Sequence, residues 1–276
     1  MGRKQIMYQL EVARSINFQG FSEERIKGCQ EAGIMKIEIS SCNPVIDFDE
    51  EEMKQKAEEW VRVCKKYGVE IISVHLPFGR DWELCSCDDA VREKAMAQYM
   101  KLIEIFKPIK PQRFILHPGY PRVPAEERPY RKENFKKNGA IIAEEIKPAK
   151  LAVENMPQDC LGNTADELIE LVEGMDNVCV CFDSNHWYQE KPHEALAKFA
   201  KMKKKVETLH ISDYDGVVEK HWLAGEGVVE WNKIIGLLEE MDYRGPFLHE
   251  CGRTYTSDQV VEATDRLFKA YNEQKQ

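Results

Sequence analysis

The 276-residue sequence predicts an α/β fold, a single (β/α)8 barrel with its functional site at the C-terminal ends of the strands. Three observations carry that expectation. Short apolar runs alternate with longer, charge-rich amphipathic segments, as parallel strands joined by helices do. Roughly eight such units can be traced, the number a closed barrel requires. Finally, four successive runs end abruptly in a polar residue: Leu151-Ala152-Val153-Glu154-Asn155, Val178-Cys179-Val180-Cys181-Phe182-Asp183, Val206-Glu207-Thr208-Leu209-His210 and Pro246-Phe247-Leu248-His249-Glu250. Buried parallel strands read as continuous apolar runs, so a charge at the strand end points to a site.

Taken in order, Lys4 to Glu11 is the candidate first strand, with a poor pattern. Ser22 caps a helix whose first turn carries Glu23 and Glu24 and which runs to Gly33. Ile34 to Ile39 is the second strand. Asp49 to Tyr67 forms a charged helix that stops at Gly68, and Val69 to Val74 follows as a strand ending at His75-Leu76-Pro77. Asp88 to Phe106 is helical until Pro108 and Pro111, and Arg113 to Leu116 then delivers His117-Pro118-Gly119. A helix from about Ala125 to Ile146 leads to the strand ending at Glu154. Asn163-Thr164-Ala165-Asp166-Glu167 opens the next helix with a cap followed by acids. Pro192 begins another, which is expected to reach Lys205. The polar stretch from Ser212 to Gly227 is long for a barrel loop, and such loops are often functional. Trp231 to Met241 and Ser257 to Asn272 complete the helices. No linker or low-complexity tract divides the chain, so residues 1–276 are expected to form one domain.

The bulk composition narrows the function. A net charge of -9 gives no general surface for polyanions. No run of about 18 apolar residues suggests a membrane span, and the N-terminus lacks the pattern of a signal peptide or a myristoylation site. The nine cysteines are scattered and never spaced as Cys-x-x-Cys, which fits buried thiols in a reducing, cytoplasmic compartment.

The chemistry should sit at the strand ends. Glu154, Asp183, His210 and Glu250 combine hard oxygens with one imidazole, a set suited to a divalent metal. His75, His117 and His186 fall at or just past strand ends, and the long loop adds Glu219 and His221. Five of the seven histidines belong to this group, whereas His193 sits at a helix start and has a plain structural reading. Phe78, Trp187, Tyr188 and Trp222 are expected at the rim, where they suit stacking on a sugar face as well as simple packing. Arg80 and Arg253 follow strand ends and read as anion ligands or as surface ion-pair partners.

The motifs Val-His-Leu-Pro, Leu-His-Pro-Gly, Val-Glu-Asn, Phe-Asp-Ser-Asn-His, Leu-His-Ile-Ser-Asp, His-Trp-Leu-Ala-Gly-Glu-Gly and His-Glu-Cys-Gly carry a resemblance. From about Gly33 to Glu250 the chain resembles the sugar phosphate isomerase/epimerase group of the xylose isomerase-like TIM barrel superfamily. That group includes ketose 3-epimerases, hydroxypyruvate isomerases and inositol-catabolism enzymes. The resemblance implies one divalent ion, Mn2+ first and Mg2+, Co2+ or Zn2+ as alternatives, on Glu154, Asp183, His210 and Glu250, with no organic cofactor. It also implies His186 as a substrate ligand. Chemistry on a small carbohydrate would run through an enediolate, with Glu154 and Glu250 as acid and base; a lyase or hydratase could use the same enolate. The apurinic endonucleases of the same superfamily hold three zinc ions, and their nine ligands would fall on His75, His117, Glu154, Asp183, His186, His210, Glu219, His221 and Glu250. Glu219 stands where they carry Asp, and no loops rich in basic and intercalating side chains suggest a nucleic-acid partner. The expectation is therefore that His75, His117, His186, Glu219, His221 and Trp222 bind substrate. A monomer and a homo-oligomer are equally compatible with the sequence.

Overall fold

A computed structural model describes residues 7–40, 45–119, 122–187, 189–202 and 206–275. The short apolar runs form eight strands: β1 (Val12–Asn17), β2 (Lys36–Ser40), β3 (Glu70–His75), β4 (Arg113–Leu116), β5 (Lys150–Glu154), β6 (Val178–Asp183), β7 (Val206–His210) and β8 (Phe247–His249). Between and after them lie α1 (Glu23–Glu31), α2 (Glu50–Tyr67), α3 (Asp89–Phe106), α4 (Arg128–Glu145), α5 (Ala165–Val172), α6 (Pro192–Phe199), α7 (Trp231–Glu240) and α8 (Ser257–Gln274). Sequential strands pair in parallel from β1 through β7, and β1 also pairs with β8. The remaining gap is spanned just past the ends of β7 and β8, where Ile211 N donates to Leu248 O at 2.8 Å and Glu250 N to Ile211 O at 3.0 Å. The result is a (β/α)8 TIM barrel, as expected.

Alternation along each strand separates two layers. On β6, Val178, Val180 and Phe182 join the large core beneath the helices, while Cys179 and Cys181 pack with Ile115 and Ala152 in a separate small cluster. A buried parallel strand is apolar on both sides because both sides are covered. Side chains at the end of the inward rows, Glu154 and Asp183 among them, are left facing the barrel mouth. The pairing register shifts at Ile37/Glu38 between β2 and β3 and at Val180/Cys181 between β6 and β7.

The first strand departs from expectation. Lys4 to Ile6 lie outside the described residues, Met7 to Glu11 form no strand, and β1 begins at Val12. The apolar residues upstream have a different job. Tyr8 and Leu10 are buried in the core, and the Tyr8 hydroxyl donates to Tyr243 O at 2.9 Å. What hid β1 is Arg14, a charged residue in its centre that is 1% exposed and donates to Tyr255 O at 2.6 Å. Helix α6 likewise ends at Phe199 rather than continuing to Lys205, and residues 203–205 lie outside the described set. Among the described residues no helix is long and apolar enough to cross a membrane.

The long loop after β7 is ordered by one buried carboxylate. Asp213 accepts from the backbone N–H groups of Gly225 and Val229 at 3.0 and 3.1 Å and from Trp231 Nε1 at 2.8 Å. Paired backbone bonds between Asp213 and Trp222 fold the intervening residues back on themselves. Gly227 makes the closure possible, because a Cβ there would lie 2.1 Å from Tyr214 O and 2.3 Å from Asp213 Oδ1. Gly227→Ala must displace that backbone, and overpacking of this kind costs about 1–3 kcal/mol. The variant is expected to melt several degrees lower by circular dichroism; an unchanged melting temperature would show that the loop is not held as described.

Candidate metal centre

Glu154 ends β5, and Asn155 after it ties β5 to β6: its side-chain amide donates to Asp183 O at 2.9 Å, and its Oδ1 accepts from Asp183 N at 2.7 Å. This fixes the two carboxylates relative to one another. Asp183 Oδ1 accepts from Asn185 N at 2.5 Å, while Oδ2 is buried with no hydrogen-bond partner. At the end of β7, His210 Nδ1 lies 2.9 Å from Glu154 Oε1 and 3.1 Å from Glu250 Oε2. One donor atom from each of Glu154, Asp183, His210 and Glu250 lies within 4.8 Å of all the others.

Two further groups adjoin this one. His75 and His117 each place Nε2 3.2 Å from Glu154 Oε2, so Glu154 belongs to both sets. His186 and His221 gather around Glu219, whose Oε1 is 3.6 Å from His186 Nε2 and 2.5 Å from His221 Nε2. Backbone carbonyls fix three of these rings. The Nδ1 atoms of His75, His186 and His221 lie 2.7, 2.9 and 2.9 Å from the oxygens of Leu76, Asn155 and Glu250. A carbonyl only accepts, so Nδ1 carries the proton and Nε2 is left to face the cluster, as metal-binding histidines are commonly arranged.

All nine residues selected from strand ends and the long loop thus meet at the barrel mouth. Trp222 is not in the donor groups; it is half-buried, pairs through its backbone with Asp213, and has its ring 6.0 Å from Lys220 Nζ. Trp187 does not line the rim. It is 1% exposed, packs on Phe182 and Phe199, and donates from Nε1 to Asp183 O at 2.7 Å. Phe78 stacks on His117 at 4.3 Å, and Tyr188 lies outside the described residues. Arg253 accepts through its carbonyl from Arg25.

Glu38 was missed. It is fully buried on β2, accepts from the Ser73 hydroxyl at 2.7 Å, and places Oε1 3.1 Å from His210 Nε2. The signal was present in Ile37-Glu38-Ile39, a carboxylate inside an apolar strand, but the strand does not end there.

Glu154, Asp183 and His210 are shut off from water, and Glu250 is partly exposed. Burial pushes Asp183 up to about 7, with Glu154 and Glu250 adding to the effect and His186 opposing it. Burial acts the same way on Glu154, but His210 and His117 hold that carboxyl well below its usual range. Glu250 is held near 2, His210 outweighing its burial. Burial disfavours the imidazolium of His210, yet Cys181, Glu154, Glu250 and Glu38 together raise it well above the ordinary value. Without a cation the histidines must supply the compensating charge, and Asp183 Oδ2 still has no hydrogen-bond partner. The donor set and that orphaned oxygen fit a divalent cation, for which Glu154, Asp183, His210 and Glu250 are the residues positioned as ligands.

With His210 Nδ1 turned to a metal, Nε2–H would face Glu38, the carboxylate–imidazole support common at such sites. Glu38→Gln should leave all four ligands in place and weaken metal affinity about 10–100-fold. A chelator competition assay on the folded variant checks this; wild-type affinity would remove Glu38 from the site.

Comparisons with known proteins bear on the family and the fold. A family model described as the xylose isomerase-like TIM barrel matches residues 26–270. An uncharacterized protein of Methanocaldococcus jannaschii is 28% identical over 190 residues, covering 65% of this chain and 64% of the relative, so the match spans less than two thirds of that relative's length. Among solved structures, a D-tagatose 3-epimerase-like protein aligns with a TM-score of 0.77 at 21% identity, covering 95% of this chain and 99% of the other. An L-ribulose 3-epimerase aligns with a TM-score of 0.75 at 16% identity, covering 97% of each chain. At such identities the structural likeness speaks for the fold, and the family match carries the assignment: the chain belongs to the xylose isomerase-like TIM barrel family.

Proposed function

We propose that this chain is a divalent-metal-dependent isomerase or epimerase of a small sugar, ketose or polyol derivative, working through an enediolate. The observation that carries the reading is the pair Glu154 and Glu250, which approach from different strand ends with donor atoms within 4.8 Å of each other and of Asp183 and His210. Fold likeness to proteins named as sugar 3-epimerases supports it. A divalent ion on the four ligands, Mn2+ first among the candidates, would supply Lewis acidity toward a carbonyl and its neighbouring hydroxyl. One of the two carboxylates removes the proton from the carbon next to the carbonyl, and the other returns one from the opposite side. His186, held by Asn155 O, directs Nε2 toward a substrate hydroxyl. Phe78, stacked on His117, covers one face of that imidazole.

The three adjoining donor groups favour a second reading, a multinuclear zinc phosphodiesterase. In that reading His75, His117 and Glu154 would hold one further zinc ion, and His186, Glu219 and His221 another. Glu is longer than Asp by one methylene, and here its Oε1 already reaches both imidazoles. Elemental analysis of protein purified without added metal separates the readings. About one ion per chain favours the sugar enzyme; about three zinc ions, with cleavage of an abasic duplex, favours the phosphodiesterase.

In heavy water, a true ketose substrate should gain one deuterium at a single carbon at a rate near turnover, measured by NMR on a panel of ketoses with the metal-loaded chain. His186→Gln is expected to keep its metal and raise KM about tenfold or more while exchange at saturation persists. Exchange lost with the metal still bound would make His186 the proton-transfer residue in place of the Glu pair.

A further inference from the structure

On the outer flank of the barrel, away from the donor cluster, a groove of about 960 Å³ runs between α2 and α3. Its apolar lining includes Val61 on α2, Ile105 on α3, and Pro108 and Ile109 just beyond the end of α3. Val61 is 37% exposed, and Pro108 is exposed beside it on the same groove. The outward stripe of a surface helix is normally polar, so an apolar groove there marks a contact surface.

The charges that line the groove fall into two kinds. Glu50 and Glu104 are spent within the chain, on Lys101 at 2.8 Å and on Lys107 at 2.6 Å. Glu58 and Lys65 are exposed, and neither forms an ion pair among the described residues. Glu58 has Lys54 and Arg62 one turn away on either side, the spacing at which Glu52 and Lys56 pair at 2.6 Å, yet it meets neither. Glu58 and Lys65 stand seven residues apart, which is two turns along one face, with Val61 between them. A rise of about 10 Å along the helix keeps the two from pairing with each other.

We propose that this groove is closed by the same face of a second copy of the chain. A two-fold axis beside Val61 sets the two α2 helices antiparallel and brings Glu58 of each copy opposite Lys65 of the other. Val61, Pro108 and Ile109 from both copies then fill the space between the two ion pairs. A two-fold contact must be its own complement, and an acid and a base placed evenly about an apolar residue meet that condition. A partner of another kind would call for no such balance of signs. Because the helices of a barrel all run opposite to its strands, antiparallel α2 helices point the two barrels in opposite directions. The two donor clusters open at opposite ends of the pair, each complete within one chain. The inference owes nothing to the reading of the donor cluster as a sugar enzyme.

Sedimentation equilibrium of the metal-loaded chain over about 1–200 µM tests the contact. Wild type is expected to form a dimer and nothing larger, since a two-fold contact closes on itself. Val61→Glu puts like charges face to face at the axis and is expected to weaken association about tenfold or more. Glu58→Lys and Lys65→Glu, each alone, set like charges opposite one another twice per dimer and are expected to do the same. The double variant carrying both Glu58→Lys and Lys65→Glu restores the pairing with its signs reversed, and should return to within about threefold of wild type. Metal content per chain and the circular dichroism spectrum are expected to stay unchanged in all four variants, because the three positions are exposed in the single chain. A chain that remains monomeric across the range overturns the proposal. So does a dimer as tight in Val61→Glu as in wild type, or a double variant no tighter than the two single ones.

Discussion

Glu154 is the constraint on which the rest of the structure depends. Its carboxylate is fully buried, with one oxygen 3.2 Å from both His75 and His117 and the other 2.9 Å from His210. An ionised carboxylate removed from water costs several kcal/mol unless it is paired and hydrogen-bonded. The pairing here comes from β3, from the turn after β4 and from β7, strands far apart in sequence that only a closed barrel brings together. Glu38 and Glu250 then compensate His210, and Asn155 locks Asp183 beside it. One buried charge thus requires the register of most of the barrel and leaves a donor-rich mouth suited to a cation.

Much of this was legible because parallel strands announce themselves. β4, β6 and β7 match their expected limits to the residue, since each is a short run rich in strand-forming residues that is set off from its helices by breakers. The nine donor residues were legible for the same reason: imidazoles and carboxylates at strand ends have no packing role to explain them. What escaped was polar residues inside strands. Arg14 broke the pattern of β1 and moved the expected strand onto Tyr8 and Leu10, which are core residues of the N-terminal segment. Glu38 was hidden because its partner, His210, is distant in sequence and no periodicity links them. Trp187 was misplaced by the opposite error. An aromatic next to a site residue reads as rim, but Phe182 and Phe199 bury it.

The loops were the least legible part, and they separate this chain from a bare metal-binding barrel. Asp213 closes the loop after β7 through backbone donors, so its role depends on geometry that composition does not encode. The contacts of Arg128 with Cys160 O and Glu167, and of Arg131 with Glu83 and Glu127, are likewise a matter of what each side chain reaches.

The buried carboxylates around Glu154 form a donor set suited to a divalent ion. The most direct measurement is a crystal structure of the chain purified without added metal, with anomalous scattering recorded across the edges of Mn, Co and Zn. A peak is expected within about 2.0–2.3 Å of donor atoms of Glu154, Asp183, His210 and Glu250. A map without that peak after metal soaking, with the four side chains bonded only to one another, would contradict it.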